Sequence, residues 1–314
     1  MNRYAIALVA AGAEFAAFYN TLTKKVQTGD WINRTSLLVA LHTGVAAGFL
    51  FVMAALTGGM EMKPGFLLPL LATGALNIGI MFGKMRARAL EDVSLVTPID
   101  STTPAVVIVT SMLILGEYPS RLGWAGIWLL AIGTYVLNIQ DVKAKLAERV
   151  EARSVTGWRR TARIWLAPFL ALGQSQGVRW AFFAVGLSTI SLNYDGLVAR
   201  RTNIGFGFGC VCAISALGNL AVALWRREYR GVQASEALGK TAPLGLLLAA
   251  TIFITSFAFR LDIVPYVGTM KRLQIPLTIL FAYYLIGEKK SFRERLLGGV
   301  IMMIGAALIT LGGK

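Results

Sequence analysis

The chain is poor in the residues from which most enzyme sites are built. It has one histidine, His42, and two cysteines, Cys210 and Cys212, in 314 residues. The cysteines are one residue apart on one apolar segment, so they form no CxxC centre and are interpreted as small core residues. His42 has no HExxH partner. We therefore expect no metal ion, no other cofactor and no enzymatic activity.

Charged residues are also scarce. They make up 15% of the chain, against roughly 25% in soluble domains. Hydrophobic residues make up 56%, and the mean hydropathy is +0.63. A helix that crosses a bilayer needs about 20 mostly apolar residues, and several such stretches follow one another here. The composition predicts an all-α membrane protein whose main solvent is the lipid bilayer.

Ten transmembrane helices are predicted from the apolar stretches, and short links make neighbouring helices antiparallel. The predicted spans are 4–23, 36–56, 66–86, 92–115, 122–139, 178–198, 204–224, 242–260, 263–287 and 295–312. The one long connection, 140–177, has a charged first part that is expected to form a surface helix. Its apolar residues 164–172 are too few to cross, so they either lie in the interface or extend the sixth helix.

The two halves of the chain resemble each other. Gly116-Glu117 and Gly287-Glu288 each end an apolar helix, and further matches follow in the same order at shifts of 169–175 residues. Gly126 and Gly133 correspond to Gly298 and Gly305, and these glycines are expected to allow close helix packing. We predict one five-helix repeat over 1–139, a basic surface linker over 140–177 and a second repeat over 178–314.

An odd number of spans in each repeat makes the second half enter the membrane in the opposite orientation. This is the inverted repeat found in many transporters. The links after odd-numbered helices hold 22 of the 31 Lys and Arg residues, whereas the other links and the termini hold 7. By the positive-inside rule both termini lie outside the cell. The basic residues behind the net charge of +15 are expected to contact anionic lipid headgroups and to set the orientation in the membrane. No nucleic-acid partner is therefore predicted.

These motifs resemble the drug/metabolite transporter superfamily, in its EamA-type and sugar-phosphate or nucleotide-sugar branches. The resemblance is carried by the helix ends Leu113–Glu117 and Leu285–Glu288, by Phe18–Lys25 and by Val267–Arg272. It implies a transporter of small solutes, with a Lys-Arg signature in the ninth helix. Many members are described with both termini in the cytoplasm, opposite to the charge count. The sugar-phosphate branch has a lysine where this chain has Asp100.

Lys271 and Arg272 are the leading candidates for substrate contact. They lie at least 15 residues, or roughly 22 Å of helix, from the Gly287-Glu288 helix end, which is too far to snorkel to that end. They either clamp a carboxylate or phosphate in a central cavity or form a structural ion pair with Asp100, Glu14 or Asp195. Gln274 shares a helix face with Lys271.

Three further titratable residues lie within predicted spans. Asp100 could meet the amino group of a zwitterion, bind a proton or neutralise Lys271. Glu14, about ten residues into the first helix, is expected to be buried, either carrying a proton or paired within the bundle. His42 could titrate near neutral pH or serve as a hydrogen-bonded packing residue.

Other polar residues in the spans are candidate cavity liners, with interhelical hydrogen bonds as the alternative. They are Asn20, Asn77, Asn193, Asp195 and Asn219. The leading hypothesis is a secondary transporter in the plasma or inner membrane that works as a monomer or homodimer. It moves a small anionic or zwitterionic metabolite by alternating access, through exchange or proton coupling, because the sequence has no Walker A loop. A channel or lipid scramblase and a lipid-modifying membrane enzyme are the alternatives.

Overall fold

The computed structural model describes residues 1–27, 31, 33–90, 99–100, 102–150, 166, 175–281, 284 and 292–312. Eleven α-helices are found in this part of the chain. They are α1 Arg3–Gln27, α2 Thr35–Leu56, α3 Leu67–Leu90, α4 Thr103–Leu115, α5 Arg121–Val150, α6 Gln176–Arg201, α7 Ile204–Trp225, α8 Ala234–Leu261, α9 Val264–Met270, α10 Gln274–Phe281 and α11 Phe292–Gly312. A single 3-10 turn, Lys271–Leu273, joins α9 to α10.

Six of these helices are long and apolar enough to cross a membrane. They are α1, α2, α3, α6, α7 and α8, and the shorter apolar helix α4 and the 297–312 part of α11 accompany them. Large apolar side chains are exposed on these helices, such as Leu113 at 81% and Trp225 at 80%. Exposed apolar surface of this kind suits contact with lipid chains.

The helix bounds depart from the predicted spans in several places. The predicted eighth span starts at 242, but α8 begins eight residues earlier, at Ala234. The predicted fifth span ends at 139, but α5 continues to Val150, because a helix need not end where its apolar stretch ends. The predicted ninth span is broken by the 3-10 turn between α9 and α10. The fourth, predicted to start at 92, has its described α-helix beginning at Thr103, with Pro104 in the first turn. The stretch 164–172 lies, apart from Leu166, outside the described residues.

Two compact units make up the chain. The first unit comprises Met1–Ile78 and Ser191–Glu288, and the second comprises Gly79–Ile190 and Lys289–Lys314. Each unit therefore contains segments from both halves of the sequence. The repeat boundaries at 139 and 178 remain a prediction.

In the first unit, α2 packs along α7 and α1 packs along α8, with α2 also against α8. Small residues allow this close approach. A Cβ on Gly205 of α7 would lie 2.6 Å from the backbone nitrogen of Ala54 on α2. One on Gly245 of α8 would lie 2.6 Å from the carbonyl oxygen of His42. Close backbone contact of this kind is how helices associate where lipid supplies no hydrophobic drive.

At one end of the first unit, the amino terminus meets three interhelical links. The Lys63 backbone nitrogen donates to the Arg201 carbonyl oxygen at 2.7 Å. The Asn2 backbone nitrogen donates to Asp262 Oδ2 at 2.7 Å. The links after α2, α6 and α8 therefore lie at the same end as the amino terminus.

The remaining described links of the first unit meet each other. Arg34 Nη2 donates to the carbonyl oxygen of Arg230 at 3.1 Å. Glu228 Oε2 accepts from the backbone nitrogen of Leu37 at 2.9 Å, which satisfies a free amide in the first turn of α2. Links after α1 and α7 thus come together, as alternating helix directions require.

In the second unit, α5 and α11 pack antiparallel through the four glycines of the repeat. A Cβ on Gly126 would lie 2.6 Å from the Gly305 carbonyl oxygen, and one on Gly133 would lie 2.8 Å from that of Gly298. The predicted role of these glycines in close packing is confirmed. Gly116 ends α4 in the left-handed conformation with φ +65°, which glycine adopts without strain. Gly287 and Glu288 lie outside the described residues.

Candidate functional site

Lys271 lies at the break between α9 and α10. Its ammonium nitrogen Nζ is 4.5 Å from the ring centroid of Phe259, a fully buried residue of α8. The face of an aromatic ring attracts a cation, and more strongly where water is excluded. The Lys271 side chain is half-buried. The broken helix therefore presents a cation inside the first unit.

Asp195 is the carboxylate that interacts with Lys271. The two opposite charges attract each other within the first unit. Asp195 Oδ1 also accepts a hydrogen bond of 2.5 Å from the Thr73 hydroxyl, which lies 2.7 Å from the Ser191 hydroxyl. α3 and α6 thus hold the carboxylate in place. Of the partners predicted for Lys271, the structure brings Asp195 to it.

One buried hydroxyl on α9 has no hydrogen-bond partner among the described residues. Thr269 precedes Lys271 by two residues and is fully buried, and its Oγ1 forms no hydrogen bond within the described part of the chain. A buried hydroxyl is normally satisfied. The Thr269 hydroxyl is thus an exception to that rule in the described part of the chain.

Tyr19 and His42 form a second polar pair in the first unit. The Tyr19 hydroxyl lies 2.8 Å from His42 Nε2, and His42 Nδ1 lies 2.6 Å from the carbonyl oxygen of Leu38. A carbonyl only accepts, so Nδ1 carries the proton and Nε2 of the neutral ring accepts from Tyr19. Both nitrogens of the buried ring are thus occupied. This arrangement agrees with the packing alternative for His42.

Cys212 connects the two groups. It is buried on α7, and it is close enough to interact electrostatically with both Tyr19 and Asp195. Cys210 and Cys212 are free thiols. We call Thr73, Ser191, Asp195, Cys212 and Lys271, together with Tyr19 and His42, the inner polar cluster.

Glu14 requires a correction. It was expected to be buried, but it is exposed on α1. The buried stripe of α1 runs through Val9, Ala13, Ala16 and Ala17, and helical geometry places residue 14 off that stripe.

The remaining predicted site residues lie in various places. Asp100 belongs to the second unit, half-buried, and its carbonyl oxygen accepts from the Thr103 hydroxyl at 2.7 Å. Asn77 donates to the Thr73 carbonyl oxygen at 2.9 Å. Asn193 is fully buried. Half-buried side chains in the first unit include those of Asn20, Arg272 and Gln274.

Sequence reasoning missed the residues that support the charges. Thr73, Ser191, Tyr19 and Phe259 carry no charge, so nothing in composition sets them apart. One signal was present: Ser191 and Asp195 are four residues apart, and residues at that spacing share a helix face.

Comparison with known proteins agrees with this architecture. The model of the EamA-like transporter family matches residues 3–139. No curated protein matches the chain. One solved structure, described only as the crystal structure of a protein, is similar with a TM-score of 0.71 and 16% sequence identity, over 100% of this chain and 98% of that chain. At that identity the likeness concerns the fold alone. Residues 3–139 thus match the EamA-like transporter family, as the motifs predicted, and the apolar helices indicate a multi-pass membrane protein.

Proposed function

We propose that this protein is a secondary transporter that moves a small anionic or zwitterionic metabolite by alternating access. The observation that carries the proposal is the position of Lys271. Its charge lies within an apolar helical unit, at a break in a helix, next to Asp195 and over Phe259. Charged residues inside a membrane are costly and tend to mark the path of a substrate or ion.

The resting arrangement explains how the charge is tolerated. Asp195 offsets Lys271, and the Phe259 ring adds a contact of about 0.5–2 kcal/mol. The pair is neutral as a whole. A carboxylate or phosphate of the substrate can replace Asp195 beside the Lys271 ammonium. The amino group of a zwitterion can then pair with the released Asp195 carboxylate. Arg272 and Gln274, in the same broken segment, are proposed to contact the substrate as well.

The helix break suits a moving site. A short 3-10 stretch inside a helical segment often marks a hinge. Transporter substrates often bind where helices are discontinuous, because backbone N–H and C=O groups at a break are not used in the hydrogen bonds of the helix itself. The turn Lys271–Leu273 has both features, and Pro276 follows it within α10, where proline loosens the hydrogen bonding.

Contacts inside each unit support the inverted five-plus-five repeat. The repeat shift for the packing glycines is 172 residues. We call two residues that lie 172 positions apart, one in each half, mates. If a two-fold axis relates the halves and residue i contacts the mate of residue j, then residue j must also contact the mate of residue i. Gly126 meets Gly305, the mate of Gly133, and Gly133 meets Gly298, the mate of Gly126.

The pair of α2 and α7 in the first unit obeys the same relation. Gly44 packs against Ala216, its own mate at a distance of 172 residues, as positions on the axis must. Gly209 packs against Phe51. Their mates Leu37 and Ala223 lie together in one buried cluster.

The remaining features of the proposal come from sequence. Asp100 is proposed to tune selectivity, and Asn20, Asn77, Asn193 and Asp195 are proposed as cavity liners. We propose a plasma or inner membrane location with both termini outside, and a monomer or homodimer driven by exchange or proton coupling. The charge count supports this orientation.

A binding screen of the purified protein tests the proposal. Thermal unfolding is measured with amino acids, organic acids, sugar phosphates, nucleotide sugars and cationic drugs. We expect an anionic or zwitterionic class to raise the midpoint, and the rise to disappear in Lys271→Gln. The matched control is Lys240→Gln, an exposed lysine paired with Glu236. Stabilisation by cationic drugs alone, or an unchanged rise in Lys271→Gln, would contradict the proposal.

A further inference from the structure

A charged cavity lies at the end of the first unit where the amino terminus and three links meet. Its volume is about 250 Å³. It is lined by Glu61, Lys63, Arg200, Thr202 and Arg260. None of these residues belongs to the inner polar cluster. All of them lie at or beyond helix ends, and Glu61, Lys63 and Arg260 are exposed, whereas Thr202 is buried.

Two arginines of this cavity are fixed by the carbonyl groups of each other's helix. Arg200, in the last turn of α6, donates from Nε to the Phe259 carbonyl oxygen at 2.8 Å and from Nη2 to that of Asp262 at 3.0 Å. Both acceptors lie at the carboxyl end of α8. This two-point attachment holds the guanidinium plane in one orientation.

Arg260 makes the reciprocal attachment from the last turn of α8. It donates from Nε to the carbonyl oxygen of Ala199 at 2.6 Å and from Nη2 to that of Thr202 at 2.5 Å. A guanidinium has five N–H donors. These two bonds therefore leave donors on Arg260 for a further acceptor, and its position is fixed before any ligand arrives.

The other two charged residues are held by backbone pairing. Met62 forms an isolated antiparallel bridge with Thr202. The Asn203 backbone nitrogen donates to the Glu61 carbonyl oxygen at 2.8 Å. Lys63 and Glu61 therefore stand at fixed positions on either side of the bridge.

Charge and size define the ligand. Three cations against one carboxylate give the lining a charge of +2, which favours an anion. Pockets for drug-sized ligands range from roughly 300 to 1,000 Å³, so a cavity of about 250 Å³ suits a single phosphate or small carboxylate and is too small for a nucleotide.

We infer that this cavity, the arginine cavity, is an oxyanion site at the membrane surface, separate from the inner polar cluster. Its ligand is a phosphate or carboxylate group, supplied by a free solute or by a lipid headgroup. The fixed guanidinium group of Arg260 provides directed donors, and Arg200 and Lys63 add positive charge. Directed charge-assisted bonds of this kind are the usual means of oxyanion recognition.

Two substitutions with opposite expected effects test the inference. Binding of inorganic phosphate is measured by calorimetry on the full chain in nanodiscs of phosphatidylcholine. Lys63→Gln should weaken binding about tenfold, the effect of a unit charge roughly 6 Å from the anion at an effective dielectric constant of about 40. Glu61→Gln should strengthen it several-fold. Neither substitution removes a hydrogen bond of the arginines, so folding is preserved.

Controls separate this site from the inner polar cluster and identify the source of the anion. Lys240→Gln should leave phosphate binding unchanged, and the effects of Lys63→Gln and Glu61→Gln should persist when each is combined with Lys271→Gln. Nanodiscs with phosphatidylglycerol should lower the apparent phosphate affinity if the occupant is a headgroup and leave it unchanged if the occupant is a free solute. If the protein bound no phosphate, or if neither Lys63→Gln nor Glu61→Gln changed the phosphate affinity, the inference would be overturned.

Discussion

Gly126 on α5 lies so close to Gly305 on α11 that a Cβ on Gly126 would sit 2.6 Å from the Gly305 carbonyl oxygen. The obstructing atom belongs to the backbone, which cannot move away by a rotamer change as a side chain can. Gly126→Ala should therefore destabilise the protein by about 1–3 kcal/mol, the usual cost of overpacking. Thermal unfolding in detergent measures the change.

A matched control for this prediction is Gly186→Ala on α6, in the same unit. An added Cβ there meets no heavy atom within 4 Å, and alanine favours a helix by up to 1 kcal/mol over glycine. Its unfolding midpoint should be equal to or above that of the parent protein. Equal midpoints for the two variants would show that α5 and α11 are not packed as described.

The bond between Tyr19 and His42 should be measurable as a coupling free energy. Tyr19→Phe removes the hydroxyl that donates to His42 Nε2 and leaves a buried nitrogen unsatisfied, at a cost of about 1–3 kcal/mol. Combined with His42→Leu, it should cost less than the sum of the single changes. The control Tyr4→Phe, at a tyrosine 63% exposed, should have little effect. Additive losses would contradict the bond.

Asp195 should support both stability and transport. Asp195→Asn leaves the Lys271 charge without its partner, which should cost about 2 kcal/mol because both side chains are only half-buried. Adding Lys271→Gln should restore stability but not transport. The control Glu236→Gln breaks an exposed pair and should change neither. Normal transport by Asp195→Asn would remove this residue from the site.

Sequence predicted the architecture better than the site. Apolar length sufficed for α1, α2, α3, α6, α7 and α8, since each contains a stretch of at least 18 mostly apolar residues. The helix-ending role of Gly116 and the packing glycines also followed from residue type and spacing. These features depend on the type and spacing of nearby residues, and both can be read from a single sequence.

The partner of Lys271 did not follow from sequence. Three carboxylates were candidates, and only tertiary packing brings Asp195 to the lysine. The 3-10 turn was not predicted, because the apolar periodicity of so short a turn does not distinguish it from an α-helix. Glu14 was assigned to the wrong environment because depth along a helix does not tell which face a residue occupies. The cations of the arginine cavity were counted only as topology signals.

Orientation can be tested with single cysteines in a variant that lacks Cys210 and Cys212. A cysteine at position 61 lies at the amino-terminal end of the first unit, and one at position 230 lies at the end that holds Arg34. A membrane-impermeant reagent on intact cells should label position 61 and not position 230. The reverse pattern would place both termini inside, and labelling of both would contradict the alternating helix directions.

Transport by the Lys271→Gln variant in proteoliposomes tests the central claim most directly. The substrate is the metabolite that most raises the unfolding midpoint of the parent protein, and Lys240→Gln is reconstituted in parallel. A charge-assisted contact of about 1.5–3 kcal/mol corresponds to a loss of roughly ten- to 150-fold. We expect uptake to fall at least tenfold in Lys271→Gln while Lys240→Gln transports normally. Equal uptake by both variants would contradict the assignment of Lys271 to the transport site.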